Sequence, residues 1–397
     1  MLFRSLSGRL DLARARLALP ELNWSKPAGE PGSGRFSVAF EKGKTTRPFQ
    51  LGLDAAGLKL AGTGAYDGPA RALSRLTLSE VKGGANDFRL EVKSLPDRGL
   101  EIALAGASLD ARPLLSSPGS EQDKRKAREA RLAKRAQAKE PGPRYALALQ
   151  LARVVTGDHG QALADLRGRL RNDGTGWDTL ELDARVAGTP TGLSVRYLPE
   201  GAKRGLSVTS EDAGAVLRAL DLTDSVLGGK LSLTGSGEPG IPAHPVTAKL
   251  ELGEFKVVGA PLLARLLNAL SVTGLLELLN GEGLVFSQLA GDLTWSEDTL
   301  TLSEIRTSGG ALGLTVAGPL DLAGGTLALE GTIVPVYGLN RILGVIPILG
   351  DLLSGGKGQG LFAATYQLSG STAQPDIFVN PLAVLAPGFL RNLFFLN

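Results

Sequence analysis

Residues 284–333, LVFSQLAGDLTWSEDTLTLSEIRTSGGALGLTVAGPLDLAGGTLALEGTI, decide how this chain folds. Leu289, Leu293 and Trp295 alternate with Gly, Asp and Thr. After the Ser-Glu-Asp turn at 296–298, Leu300 and Leu302 resume the alternation. Leu312, Leu314, Val316, Leu320 and Leu322 then share one parity across a Gly-Pro step. Beyond Gly324-Gly325, Leu327, Leu329 and Ile333 continue it. A period of two puts one side-chain type on each face of a strand. Turn signals recurring about every 8–12 residues predict an antiparallel meander. Each strand then carries one apolar and one polar face.

The same period runs upstream. Leu51 and Leu53 are followed by Leu58 and Leu60 across an Ala-Ala-Gly turn. Leu76, Leu78 and Leu100, Ile102, Leu104 come next, then Leu180, Leu182 and Leu193, Val195, Tyr197. Composition agrees with a mainly β chain of many short strands. Of 397 residues 53 are Gly, 43% are hydrophobic and only 5% are aromatic. With no Cys, disulfides, thiolate nucleophiles and Cys-based metal sites are excluded. Two His, His159 and His244, leave little for His-based catalysis. A net charge of +3 gives no global nucleic-acid footprint.

Three segments break the alternation. In 260–281, Leu262, Leu263, Leu266, Leu267 and Leu270 share one helical stripe, with Pro261 suited to a first turn and Gly281 to a stop. Residues 337–356 read as an apolar helical or irregular run limited by Pro347. Residues 121–140 hold eight basic and four acidic residues, whereas the rest of the chain holds 35 basic against 36 acidic. Leu132 is the only large apolar side chain there, so a helix would bury almost nothing. Pro118-Gly119 and Pro141-Gly142-Pro143 bracket this segment. It reads as an exposed helical or disordered excursion, either a solvated loop or a contact for an anionic surface. The expected organisation is a first stretch of sheet over 1–117, the charged insertion over 118–143, a middle stretch over 144–259 and a C-terminal region with apolar helices over 260–397.

Chemistry is not legible. GDLLSGGKGQG (350–360) lacks Walker A spacing: Gly356 precedes Lys357 by one, but Gly350 stands one residue too far back and Gly358 follows the lysine. No GxSxG, HExxH or DxDxDG string occurs. Asp292, Glu297, Asp298 and Glu304 read as carboxylates that solvate a sheet. The chain is therefore expected to be non-enzymatic and to need no cofactor. No apolar stretch approaches the roughly 18 residues of a membrane-spanning helix. The N-terminus lacks the apolar core of a signal peptide and enters a strand pattern at once, so the chain reads as cut from a longer protein.

Alternating strands in this number must bury their apolar faces. A two-sheet sandwich, a lipid-facing barrel and a long sheet folded lengthwise into a trough all do so. The barrel is disfavoured because aromatic girdles are missing. Periodicity alone leaves the closed core and the open trough undecided. At the observed turn spacing about 30 strands could form, which as one sheet would run on the order of 130–140 Å.

The C-terminal third carries a more specific signal. Residues 281–322, VPVYGLNRILGVIPILGDLLSGGKGQGLFAATYQLSG (334–370) and VNPLAVLAPGFLRNLF (379–394) resemble the AsmA-like C-terminal region of the YhdP/TamB group of Gram-negative envelope proteins. EDAGAVLRALDLTDSVLGGKLSLTG (211–235) and LPELNWSKPAGEPG (19–32) are similar to it less distinctively. The resemblance implies a long, curved antiparallel sheet folded lengthwise into a taco-like hydrophobic groove. It implies phospholipids as cargo, moved across the periplasm between inner and outer membranes, with an N-terminal inner-membrane anchor expected upstream of Met1. It implies an outer-membrane or envelope partner at the C-terminal end, and no nucleic acid. Under it, Leu293, Trp295, Leu300, Leu302, Leu312, Leu314, Val316, Leu320, Leu322, Leu327, Leu329 and Ile333 are expected to line the groove. Phe389, Leu390, Leu393, Phe394 and Phe395 are expected either to contact a membrane or partner or to plug the groove's end. The alternative is an outer-membrane assembly or structural factor that binds polypeptide strands along open sheet edges.

Overall fold

The computed structural model describes residues 5–40, 43–69, 71–95, 99–115, 142–335 and 363–380. The expected features at 337–356 and 389–395, and the charged insertion at 121–140, lie outside them. Twenty strands join in one sheet. They are β1 (Ser5–Asp11), β4 (Gly32–Ala39), β5 (Thr46–Ala55), β6 (Leu58–Asp67), β7 (Ala72–Gly83), β8 (Asn86–Ser94), β9 (Leu100–Asp110), β10 (Tyr145–Val155), β11 (Ala162–Asn172), β12 (Trp177–Val186), β13 (Gly192–Glu200), β14 (Lys203–Ser210), β15 (Val226–Gly237), β16 (Val246–Val257), β17 (Leu284–Ser296), β18 (Thr299–Ser308), β19 (Leu312–Asp321), β20 (Thr326–Pro335), β21 (Ala364–Ser371) and β22 (Asp376–Asn380). A separate hairpin pairs β2 (Leu17–Leu19) with β3 (Trp24–Lys26). β1 pairs with β4, and from β4 to β22 each strand pairs with the next. β1 and β22 do not pair with each other, so the sheet stays open.

Two expectations are corrected. Twenty strands span on the order of 90 Å, not 130–140 Å, because the strands are longer than the turn spacing suggested. Nor is the sheet wholly antiparallel: β9 and β10 run parallel, Leu104 opposite Leu149. β10 therefore begins at the opposite end of the sheet from where β9 finishes, a connection that a tight hairpin cannot make.

Register turns the sequence alternation into two continuous faces. One row runs Gly8, Phe36, Leu51, Gly62, Leu78, Leu90, Leu104, each opposite the next. It continues through Leu149, Gly168, Leu182, Val195, Val208, Leu233, Leu250 and Gly291. Every member is apolar or glycine. The adjacent row, one residue along, runs Ser7, Ser37, Gln50, Thr63, Thr77, Glu91, Ala103, Ala148, Arg169, Glu181, Arg196, Ser207, Thr234, Lys249 and Asp292. A one-residue slip anywhere would exchange the two faces.

Three bulges lie toward one edge of this sheet. β7 carries an extra residue between Leu78 and Val81, β11 one between Ala164 and Arg167, and β18 one between Leu302 and Ile305. Asp165 (φ 51) and Glu304 (φ 52) take left-handed backbone at two of them. Such insertions kink the strand and raise its twist. The same edge carries the β2–β3 hairpin and all four described α-helices: α1 (Arg112–Leu115), α2 (Ala213–Ala219), α3 (Pro261–Ala269) and α4 (Thr273–Asn280). Asp212 caps α2 by accepting from the Ala215 N–H at 2.9 Å. The single helix read from Pro261 to Gly281 is two helices, with the stripe from Leu262 to Leu270 in the first, because Ser271 (φ 55) ends that helix in a left-handed turn.

A polar network fastens the N-terminal hairpin to that edge. Asp110, 2% exposed, accepts from Arg112 Nη2 at 2.6 Å, Arg112 Nε at 2.9 Å and Asn23 Nδ2 at 3.2 Å. Asn86 donates to the Leu22 carbonyl at 2.9 Å, and Trp24 Nε1 to that of Ala56 at 3.0 Å. The Arg112 guanidinium holds the Asp110 carboxyl below the usual carboxylate range, against the opposing effect of burial. The folded-state pKa is thus depressed. Its stabilisation is present above the unfolded value of about 4 and is lost as pH falls through the lower folded value. Urea midpoints taken from pH 7 down to pH 3 should therefore fall more steeply for wild type than for Asp110→Asn. Parallel acid profiles would show that the network does not hold this edge.

Candidate apolar binding face

Three buried clusters divide the apolar face. The first lies under the helix pair. Leu266 and Leu267 of α3 and Leu275 and Leu279 of α4 pack with Leu252, Phe255, Leu284, Phe286, Leu312, Ile333, Tyr366 and Leu368. The Phe255 and Phe286 rings stack 5.2 Å apart. α3 also touches β22, so the pair lies across the apolar side from β16 to the last strand. The second cluster lines the helix-bearing edge further upstream, with Val81, Phe88, Leu151, Val154, Leu163, Val186 and Val216 of α2. The third closes the opposite edge around Tyr197, Ile241 and Val246, with Trp177 and Trp295 packed on them.

The loop 238–245 makes this third cluster. Its Ile241 carbonyl accepts from the Trp177 N–H at 2.7 Å, and its Pro242 carbonyl from the Glu297 N–H at 2.7 Å. Tyr197 Oη donates to the Glu238 carbonyl at 2.6 Å. The loop thus ties the ends of the paired strands β12 and β13 to that of β17, which neighbours neither.

Between these margins lies a strip that belongs to none of the clusters. Leu149, Leu182, Val195, Val208, Leu233 and Leu250, one per strand with Gly168 among them, are all half-buried. In a two-sheet sandwich the central row is the most deeply buried, because the second sheet covers it about 10 Å away. Here the margins are buried and the centre is not. From β10 to β16 the strip runs on the order of 29 Å.

The residues expected to line a groove fall mostly elsewhere. Leu312, Leu329 and Ile333 are buried beneath the helix pair, at 1%, 9% and 0% exposure. Leu302, Leu314, Val316, Leu320 and Leu327 are half-buried against that cluster. Trp295 packs in the third cluster, while Leu293 and Leu300 are half-buried outside all three. Leu322 is 54% exposed in the turn after β19. Ile305 shares the apolar face despite its odd number, because the bulge at Glu304 reverses parity. The strip's own residues were visible only as an alternation no different from that of the covered strands.

Among the described residues no group of three or more His, Asp or Glu side chains could hold a metal ion. No described helix is long and apolar enough to cross a membrane. No family model, curated protein or solved structure matches this chain.

Proposed function

We propose that the half-buried strip is the floor of a lengthwise groove that holds acyl chains. The protein then acts without catalysis, passing phospholipids between the inner and outer membranes of a Gram-negative envelope. One observation carries the reading: an unbroken apolar row whose margins are buried while its centre is not. An uncovered aliphatic strip in water is unfavourable, and each methylene shielded on it gains about 0.8 kcal/mol. The gain has no direction, so chains slide along the strip rather than dock at one point. Its length of about 29 Å is close to the roughly 30 Å hydrocarbon thickness of a bilayer. The resemblance of residues 281–394 to the AsmA-like region supports the same cargo and periplasmic setting. The helix pair packs on the apolar face of the later strands, which favours the strands before β17 as the floor of the groove.

Mass spectrometry of lipid extracted from the natively purified protein tests this. Phospholipid is expected with wild type and largely lost from Leu182→Asp and Leu233→Asp, both still folded by circular dichroism. Folded variants that retain lipid at wild-type levels would overturn the reading.

A second reading is favoured by the sheet's unpaired ends. β1 has no neighbour on its outer side among the described residues, and its Leu6 and Leu10 are 55% and 50% exposed. Such an edge accepts a strand from another polypeptide. Polypeptide in place of lipid in the same extract would favour it.

A further inference from the structure

The N-terminal hairpin has a fixed base and a loosely held arm. At the base, the Leu12 N–H donates to the Gly32 carbonyl at 2.8 Å, and Asp11 pairs with Ser33 in the β1–β4 ladder. Lys26 is 0% exposed. Its ammonium donates to the carbonyls of Ala15 and Pro27 at 3.0 Å and of Ala13 at 3.5 Å. All three acceptors lie in the connection between β1 and β4, so the buried cation ties that connection to itself.

The arm is residues 17–25: β2, a 3-10 turn over Pro20–Leu22, and β3 as far as Ser25. None of its residues is buried. Among the described residues it reaches the sheet through three side-chain hydrogen bonds. Trp24 Nε1 donates to the Ala56 carbonyl in the turn after β5, and Asn23 Nδ2 to Asp110 at the end of β9. Asn86, at the start of β8, donates to the Leu22 carbonyl. Leu22, half-buried, is the only arm residue that packs on a buried cluster. A segment with so few buried apolar contacts opens at low cost. Polar tethers keep the cost low, because Asn86 and Asp110, each 2% exposed, exchange the arm's groups for water when it lifts.

We propose that the arm 17–25 is a strap that swings on the Lys26 base and admits acyl chains sideways onto the apolar face. Register sets what lies beneath it. Leu60, Leu78, Leu90 and Leu104 belong to the cluster on which Leu22 packs. Leu78, Leu90 and Leu104 stand opposite one another in turn, and Leu104 stands opposite Leu149, the first residue of the half-buried strip. A chain entering under the lifted strap therefore meets one aliphatic row that leads into the strip. The identity of the cargo rests on the lipid reading above, whereas the lifting of the strap does not.

Thiol labelling of the full chain tests the strap, because the sequence holds no Cys. Leu22→Cys places a thiol on the arm, and Val81→Cys places one in the same cluster on the sheet, at a position 1% exposed. A maleimide is expected to modify Leu22→Cys at least about tenfold faster than Val81→Cys. Adding Asn23→Ala and Trp24→Phe, which remove two tethers, should speed the first at least about tenfold again and leave the second unchanged. Circular dichroism checks that each variant keeps the wild-type fold. Uptake of a fluorescent phosphatidylethanolamine reads the entrance. Asn23→Ala with Trp24→Phe should speed uptake and leave the amount bound at equilibrium unchanged. Labelling of Leu22→Cys that ignores the tethers, or that is as slow as for Val81→Cys, would overturn the strap. Uptake at the wild-type rate would overturn its role as an entrance. No lipid bound by either protein would overturn the groove reading and the entrance with it, while the labelling still decides whether the strap lifts.

Discussion

Ile333→Asp is expected to unfold the protein or to lower its stability by several kcal/mol, whereas Leu182→Asp should cost on the order of 1 kcal/mol. Ile333 is 0% exposed, with Leu314 and Ala364 as its cross-strand neighbours. A carboxylate there is stripped of water and finds no cation, and the lost aliphatic packing adds to the penalty. Leu182 lies half-buried between Gly168 and Val195. A carboxylate at that position reaches solvent along the strip. Urea titration gives both values, provided the slope is unchanged. The comparison bears directly on the groove. If Leu182→Asp costs as much as Ile333→Asp, the strip is a closed interior with no room for an acyl chain.

Tyr366→Phe should cost about 1–3 kcal/mol and remove a characteristic alkaline transition. Tyr366 lies over Gly331, where even a methyl group would meet the tyrosine oxygen at 2.6 Å and collide with the Thr315 carbonyl. Its hydroxyl donates to that same carbonyl at 2.6 Å, across the intervening strand. The variant leaves the carbonyl without this donor, in a largely dry site. Burial raises the Tyr366 pKa to about 12 from its ordinary value of 10.0. Because the folded value is the higher one, the stabilisation is complete below pH 10 and is lost as pH rises through 12. A shift of this size corresponds to at most about 3 kcal/mol. Stability measured from pH 9 to 12 should therefore fall for wild type and fall less for Tyr366→Phe. Identical alkaline profiles would show that Tyr366 keeps no buried proton.

The alternation that predicted strands around Leu300 and Leu302, or Leu327 and Leu329, predicted real ones. Strand formation is a local property: side chains two apart share a face whatever lies above it. Where a bulge intervenes, that rule fails for a physical reason. Ile305 keeps to the apolar face only because Glu304 adopts a left-handed backbone, which a non-glycine residue does not advertise in sequence. The parallel pairing of β9 and β10 was likewise invisible, since it depends on where a long connection returns. The alternating arginines of RGRLR at 167–171 could be seen in the sequence, but the residues opposite them could not. Only the structure shows Asp183 and Glu181 across from Arg167 and Arg169, with Arg196 at 2.7 Å from the first carboxylate and 4.0 Å from the second.

By itself the sequence determined a mainly β chain with one apolar and one polar side per strand, because that periodicity needs no partner. Tertiary structure alone decided which aliphatic residues are covered. Leu329 and Leu182 obey the same pattern, yet the first is buried with helices α3 and α4 and the second is half-buried outside every buried cluster. Covering depends on contacts between residues far apart in the chain, and a period of two carries no information about them.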